Sequence, residues 1–164
     1  MTSLGRWWRR LRMVGLLVLL LALSWWLSRP PPPSVGPERV AERFTRCGQS
    51  SGFACVVDGD SFHLGKRRIR IRGIDAPERE GACPAEIVLA ERSAARLAEL
   101  LGAGPFTMTV VGGNERDQYG RELRVLTRRG NDGRTRSIGT AMVEAGLAHD
   151  YRGHKTSWCR LPSP

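Results

Sequence analysis

The sequence predicts an α+β protein that is mainly β: a small five-stranded barrel with packed helices, preceded by an N-terminal hydrophobic helix. Three kinds of segment point to this class. Short stretches of alternating apolar and polar residues are separated by turn residues such as Asp-Gly, which indicates hairpins. Two other stretches have the 3.6-residue apolar period of helices. A charge-free apolar run near the N-terminus is followed by four consecutive prolines.

Residues 1–28 are predicted to be a targeting segment and not part of the fold. Residues 1–12 are basic, and the run 13–27 has no charge. Its fifteen residues span roughly 22 Å as a helix, less than the roughly 30 Å of a bilayer core, which favours a cleaved signal peptide. Trp25 and Trp26 would suit a membrane interface, which favours an uncleaved anchor. In either case the rest of the chain is expected outside the cytoplasm, anchored at the cell envelope facing the periplasm or exterior, or secreted.

Residues 29–39 form a proline-rich linker, and residues 40–164 are predicted to be the folded domain. In this domain we predict strands over 53–57, 61–64, 66–74, 106–111 and 121–127. Helices are predicted over 84–101, which begins with a proline and ends before Gly102, and over 137–145, with Ser137 as its N-cap. The order β-β-β-α-β-β-α suits a small closed barrel with a helix packed across it, an OB-like arrangement.

The charge of the domain is compatible with a polyanionic partner. The whole chain has a net charge of +10, but residues 1–34 contain five arginines and no acidic residue. Residues 35–164 therefore have 21 basic and 16 acidic side chains, a net charge of +5. Nucleic acid fits such a surface, although many unrelated domains have a similar charge.

The segment 56–78, VVDGDSFHLGKRRIRIRGIDAPE, contains the strongest functional signal. It brings together three carboxylates, from Asp60, Asp75 and Glu78, and Arg70 on an alternating strand. Carboxylate oxygens suit a hard cation such as Ca²⁺, and a guanidinium fork matches a phosphate. Each feature alone is more often a turn or a solvated sheet face. Their combination suggests phosphodiester chemistry.

Four motifs resemble the signature of the staphylococcal nuclease (thermonuclease) family. They are DGDS at 58–61, RIRGIDAPE at 70–78, DQYGR at 117–121 and GLA at 146–148. Their order and spacing match the family over residues 53–151. By this resemblance the chain is identified as an exported, bacterial-type member of the family.

The resemblance implies a metal site and a base. Asp60 and Asp75 would bind one Ca²⁺, together with the backbone oxygen of Ala76. Glu78 would position and activate the attacking water. Ala76 stands where the best-known members have threonine, and little loss is expected because the ligand there is a main-chain oxygen.

The resemblance also implies a phosphate clamp, formed by Arg70 and Arg121, and a nucleotide contact at Tyr119. The implied activity is that of a Ca²⁺-dependent hydrolase, an endonuclease that cleaves DNA or RNA, prefers single strands, leaves 3′-phosphates and acts as a monomer. Gln118 replaces a lysine that contacts the nucleotide in the family, which is expected to weaken or change binding of the terminal phosphate.

The four cysteines, 47, 55, 83 and 159, are expected to form disulfides, since their number is even and the chain is predicted to be exported. Three pairings are possible. The chain also ends soon after Gly146, without the family's long C-terminal helix, so another device is expected to fix its end. Some exported relatives have similar cysteines, and we predict Cys47–Cys55 and Cys83–Cys159. A zinc site is the alternative, disfavoured because no Cys-x-x-Cys spacing is present.

Two other functions compete with the nuclease. The same barrel could be a non-catalytic module that binds nucleic acid or another ligand at the cell envelope, as in relatives that have lost the acidic cluster. A scaffold protein of the envelope is the third possibility. The presence of all five charged site residues favours the enzyme; these are Asp60, Arg70, Asp75, Glu78 and Arg121.

Overall fold

The computed structural model describes residues 3–29, 36–49, 52–113 and 115–159 of the 164-residue chain. The chain divides into two compact units, residues 1–32 and 33–164. The first unit contains helix α1 (Ser3–Leu27). Among the described residues, no helix combines the length and the apolar character needed to cross a membrane. Most of the predicted proline-rich linker, residues 30–35, lies outside the described residues.

The second unit combines short strands with two helices. In chain order its elements are β1 (Glu38–Val40), β2 (Thr45–Arg46), β3 (Ala54–Asp58), β4 (Ser61–Leu64), β5 (Arg67–Ile71), β6 (Ile74–Asp75), α2 (Pro84–Gly102), β7 (Phe106–Thr109), β8 (Glu122–Arg129), β9 (Thr135–Ser137), α3 (Ile138–Glu144) and β10 (His149–Asp150). The main sheet has the strand order β1-β7-β8-β5-β4-β3-β2, with β9 also paired to β8. Strands β6 and β10 form a separate pair.

The sheet is a curled half-barrel, and this differs from the predicted closed barrel of five strands. In the described part of the chain, its hydrogen-bonded path runs from β1 to β2 without closing. The additional strands are only two or three residues long, and an apolar alternation is not recognisable over so short a stretch. The structure confirms the mixed α and β composition and the OB-like fold that the sequence predicted.

The single strand predicted over 66–74 is divided into β5 and β6 by a turn at Gly73. Gly73 has φ +85°, a conformation that residues with a Cβ adopt only rarely. The turn reverses the chain, so that Asp75 returns beside Arg70, with 3.4 Å between Arg70 Nη2 and Asp75 Oδ1. The interruption of the strand therefore brings two of the predicted site residues into contact.

Both predicted helices are present with small shifts at their ends. Helix α2 buries one apolar stripe against the sheet; it consists of Ala90, Ala94, Leu97 and Leu101. Helix α3 is capped as predicted, because the hydroxyl of Ser137 accepts a hydrogen bond of 3.2 Å from the backbone N–H of Thr140. Three phenylalanine rings pack against one another in the core, two of the pairs edge-to-face and the third tilted; these are Phe44, Phe62 and Phe106.

The structure contains both predicted disulfides, Cys47–Cys55 and Cys83–Cys159. Within the described residues, two groups of side chains have the proximity needed to hold a metal ion, and each includes one of these cystine pairs. An oxidised cysteine offers no thiolate to a metal. The predicted disulfides therefore take the place of the alternative zinc site.

Candidate active site

The Asp-Gly-Asp turn between β3 and β4 is pressed against helix α2. A Cβ added to Gly59 would lie 1.8 Å from Ser93 Oγ and 2.8 Å from Ala76 Cβ, so that only glycine fits there. The carboxylate of Asp58 accepts a hydrogen bond of 3.2 Å from the N–H of Asp60. This packing fixes Asp60 at the floor of the site with only 3% of its surface exposed.

Two buried carboxylates and one guanidinium form the centre of the site. Arg70 Nη1 lies 2.6 Å from Asp60 Oδ2, and Arg70 Nη2 lies 3.4 Å from Asp75 Oδ1. The hydroxyl of Ser61 donates to Asp60 Oδ1 at 2.7 Å. The amide of Ala76 donates to Asp60 Oδ2 at 3.3 Å, so the peptide that follows Asp75 lies against the Asp60 carboxylate. The structure thus brings together all the residues predicted to bind the metal.

The electrostatics of these carboxylates favour an additional cation. The pKa of Asp60 is raised to about 7, first by burial and then by the charge of Asp58, and Arg70 opposes both effects. Burial also raises the pKa of Asp75, against the opposing charges of Lys155 and Arg70. The two buried carboxylates are oxygen donors of the kind that Ca²⁺ takes, so they fit the ion implied by the sequence.

Glu78 lies on the turn after β6 and faces the solvent, with 47% of its side chain exposed. Its backbone N–H donates to Glu86 Oε1 at 3.3 Å, and Glu86 Oε2 accepts a bond of 2.9 Å from the N–H of Ala82. Lys155 Nζ donates to Glu78 Oε1 at 2.5 Å. The buried carboxylate of Glu86 therefore fixes the backbone of the turn, while Lys155 contacts the side chain.

Arg121 precedes β8, which pairs in parallel with β5. The carboxylate of Asp117 accepts bonds from the N–H of Tyr119 and of Arg121, both 2.9 Å, and from Arg121 Nε at 2.7 Å. Burial raises the pKa of Asp117, but the hydrogen bonds and the charge of Arg121 outweigh it and hold the pKa below its ordinary value. Arg121 Nη1 lies 3.4 Å from Ser61 Oγ, next to the Asp60 carboxylate.

One cleft of about 920 Å³ unites the predicted catalytic side chains. Of the predicted site residues, it is lined by Arg70, Glu78, Tyr119 and Arg121. The side chains of Arg68, Arg72 and Lys155 add three further cations to its wall. Asp60 and Asp75 lie beneath Arg70 and do not line the cleft. Tyr119 is exposed, and its carbonyl accepts a bond of 2.5 Å from Arg68 Nη2.

Three residues that support this site had no predicted role. Asp117 was visible as the first residue of the DQYGR motif. Glu86 stands in the first turn of α2, where an acidic residue is common, so its position in the sequence does not indicate a special role. Lys155 belongs to no recognisable pattern, and only the folded chain brings it to Glu78.

Comparison with known proteins identifies a family for this domain. A family model described as staphylococcal nuclease homologue matches residues 68–160, more than half of the chain. The match includes four of the charged site residues, Arg70, Asp75, Glu78 and Arg121. It begins after the Asp-Gly-Asp turn, so the place of Asp60 in the site rests on the structure. No curated protein matches the chain at a significant level.

Proposed function

Because the chain belongs to the staphylococcal nuclease homologue family, we propose that it is a Ca²⁺-dependent endonuclease that hydrolyses phosphodiester bonds in DNA or RNA. One observation carries this proposal. Arg70, Glu78 and Arg121 line one cationic cleft, and two buried carboxylates lie directly beneath Arg70. A base, two phosphate-binding groups and a set of hard oxygen donors are the components that phosphodiester hydrolysis requires.

In the proposed mechanism the two arginines hold the scissile phosphate. The planar guanidinium groups of Arg70 and Arg121 donate to its non-bridging oxygens and stabilise the charge that develops there. Glu78 orients a water molecule and accepts its proton as the water attacks the phosphorus. The bond between phosphorus and the 5′-oxygen then breaks, this oxygen takes up a proton from solvent water, and the product retains a 3′-phosphate.

Asp60, Asp75 and the backbone oxygen of Ala76 would hold the metal ion. When bound, Ca²⁺ supplies positive charge that stabilises the attacked phosphoryl group. The hydroxyl of Ser61 already orients the Asp60 carboxylate through a bond of 2.7 Å, whereas Arg70, 2.6 Å from the same carboxylate, would turn to the phosphate when the metal binds. This orientation limits the reorganisation that metal binding requires.

The cleft surface supports a single-stranded substrate. Arg68 and Arg72 line the cleft in addition to the two proposed clamp residues, and a cationic groove follows a nucleic-acid backbone. The exposed ring of Tyr119 offers a stacking surface for a base. Gln118 also lines the cleft, where it provides no charge for a terminal phosphate.

The proposal includes export of the chain. Two disulfides are typical of proteins in oxidising compartments and support a location outside the cytoplasm. The basic, leucine-rich segment that forms α1 would act as the export signal or as the membrane anchor. One chain contributes every residue of the proposed site, which supports a monomer as the active form.

The test is cleavage of a single-stranded DNA and a single-stranded RNA oligonucleotide by the full-length chain. We expect hydrolysis with Ca²⁺, none in excess chelator, and little with Mg²⁺, whose small octahedral shell fits such a site poorly. Undiminished cleavage in chelator would contradict the calcium mechanism. Oligonucleotide binding without cleavage under any of these conditions would favour the non-catalytic module.

A further inference from the structure

The C-terminal segment, defined here as residues 151–159, is attached to the domain at three places. The N–H of Tyr151 donates to the carbonyl of Gly73 at 2.9 Å. The ring of Trp158 stacks on His149, with the ring centroids 3.9 Å apart. The disulfide Cys83–Cys159 links its end to the residue before α2. The segment therefore forms a fixed wall of the cleft, although it contains no helix or strand.

This segment brings Lys155 to Glu78. Both side chains are partly exposed, 63% for Lys155 and 47% for Glu78, and isolated exposed pairs contribute little because holding two flexible side chains costs entropy. Here the covalent link and the ring stacking already restrict the backbone that bears Lys155. Less entropy is therefore lost when the pair forms.

The buried carboxylate of Glu86 contacts both the C-terminal segment and the turn that bears Glu78. Glu86 accepts the N–H bond of Glu78, and its Oε2 lies 3.7 Å from Cys159 Sγ. Glu86 thus fixes the backbone of Glu78 and contacts the disulfide. In the part of the chain that the structure describes, the Glu78 carboxylate has one hydrogen-bonded side-chain partner, Lys155, and the bond engages only Oε1.

We propose that Lys155 is a positioning residue that orients the carboxylate of Glu78 toward the attacked phosphate, and that the Cys83–Cys159 disulfide keeps it in place. The inference rests on the proposed nuclease function. An ammonium group is a compact charge that can hold one carboxylate oxygen, and it leaves Oε2 for the water. A base must lie within about 3 Å of the proton that it removes, so loss of this orientation lowers the rate.

The test uses Lys155→Met in the full-length chain, with Lys66→Met as the matched control. Lys66 is the only other lysine, is exposed and lies outside the cleft. With single-stranded DNA and Ca²⁺, we expect Lys155→Met to lower kcat about fivefold at unchanged KM, and the control to change neither. A kcat within 1.5-fold of the parent, taken as roughly the error of the assay, would overturn the inference. A raised KM at unchanged kcat would also overturn it, because Lys155 would then contact the substrate.

The role of the disulfide is tested by a double-mutant cycle. The variant with both Cys83→Ser and Cys159→Ser should lose about as much kcat as Lys155→Met, and adding Lys155→Met to it should cause no further loss. If the combined variant loses kcat by the product of the two separate factors, the disulfide does not act through Lys155. That result would overturn the second half of the proposal.

A spectroscopic measurement separates this inference from the nuclease proposal. With ¹⁵N-labelled lysine the protein has only two ammonium signals, from Lys66 and Lys155. Glu78→Gln should shift the Lys155 signal and leave the Lys66 signal unchanged. An unshifted Lys155 signal would overturn the inference even if the enzyme is active. If Glu78→Gln shifts the Lys155 signal but the parent protein cleaves nothing, the result contradicts the nuclease function alone.

Discussion

At the residue scale, Glu78 and Arg121 distinguish an enzyme from a binding module. We expect Glu78→Gln and Arg121→Ala each to lower kcat by about 100-fold or more, because both are proposed to act mainly on the transition state. Their side chains face the cleft and not the core, so the variants should fold. The measurement is single-turnover cleavage, with circular dichroism to check the fold and a binding titration to follow affinity.

Arg129→Ala is the matched control for these variants. It removes one positive charge from an exposed position at the far end of β8, outside the cleft. Its activity should equal that of the parent. If folded Glu78→Gln and Arg121→Ala both cleave within threefold of the parent, a margin well below the roughly 100-fold loss expected of such residues, the assigned roles are wrong and the binding module becomes the better explanation.

Asp117 should make stability depend on pH in the acid range. Its folded-state pKa lies below the ordinary value, so its stabilising effect is fully present above the unfolded-state pKa of about 4. The effect is lost as the pH falls through the folded-state pKa. Urea unfolding between pH 2.5 and 6 should show a weaker decline on acidification for Asp117→Asn than for the parent. Parallel curves for the two proteins would contradict this assignment.

The site residues that could be predicted are those within short motifs. Asp60, Arg70, Asp75 and Glu78 lie within nineteen consecutive residues, and local strand and turn geometry suffices to bring them close. The contact between Lys155 and Glu78 was not predictable. The disulfide Cys83–Cys159 was predicted, but the path of the segment before Cys159 follows no periodic pattern, so no local signal places Lys155 beside Glu78.

At the scale of single elements, the close packing of α2 on the β3–β4 turn can be tested at Gly59. Gly59→Ala should lower the free energy of unfolding by about 1–3 kcal/mol, since its methyl group would overlap Ser93 on the helix. Gly102→Ala is the control, because nothing lies within 4 Å of its Cβ and alanine favours the helix. Urea unfolding measures both. A Gly59→Ala variant as stable as the parent would show that the turn can move away from α2.

In strand β8, the hydropathy of the sequence does not identify which side chains are buried. Leu123 and Val125 alternate with Glu122 and Arg124, yet the two charged residues are buried and the two apolar ones are only partly so. Arg124 Nη2 lies 2.7 Å from Glu122 Oε2, and Arg67 Nη2 lies 2.8 Å from the same oxygen. An ion-pair network with a partner on β5 makes this burial possible, and the sequence of β8 alone contains no sign of that partner.

At the scale of the whole molecule, the two disulfides should differ in their effect on stability. Cys83–Cys159 joins residues 76 apart in sequence, and Cys47–Cys55 joins residues 8 apart. From loop-closure entropy, removing the long link should lower the free energy of unfolding by about 4.5 kcal/mol, against about 2.5 kcal/mol for the short one. Urea unfolding of the two Cys→Ser double variants gives the comparison. A larger loss from the short link would contradict the entropic argument.

The class of fold was predictable because it follows from the order of strongly patterned elements, whereas the closure of the barrel was not. Strands β1 and β2 form the two edges of the main sheet and are three and two residues long. Whether such edges meet depends on the twist and curl of all the strands between them. That property belongs to the assembled sheet and not to any segment of the chain.

The parallel pairing of β5 with β8 affects the stage of folding at which the proposed active site forms. Arg70 stands opposite Leu123 in this pair, and the connection between the two strands runs through α2 and β7. Such non-local pairs form late, after the local hairpins, because closing a long loop costs entropy before any contact is gained. Arg70 and Arg121 therefore come together only in the nearly complete domain. A partly folded chain would therefore lack the proposed phosphate clamp, and if the chain is a nuclease it would be inactive until the domain is nearly complete.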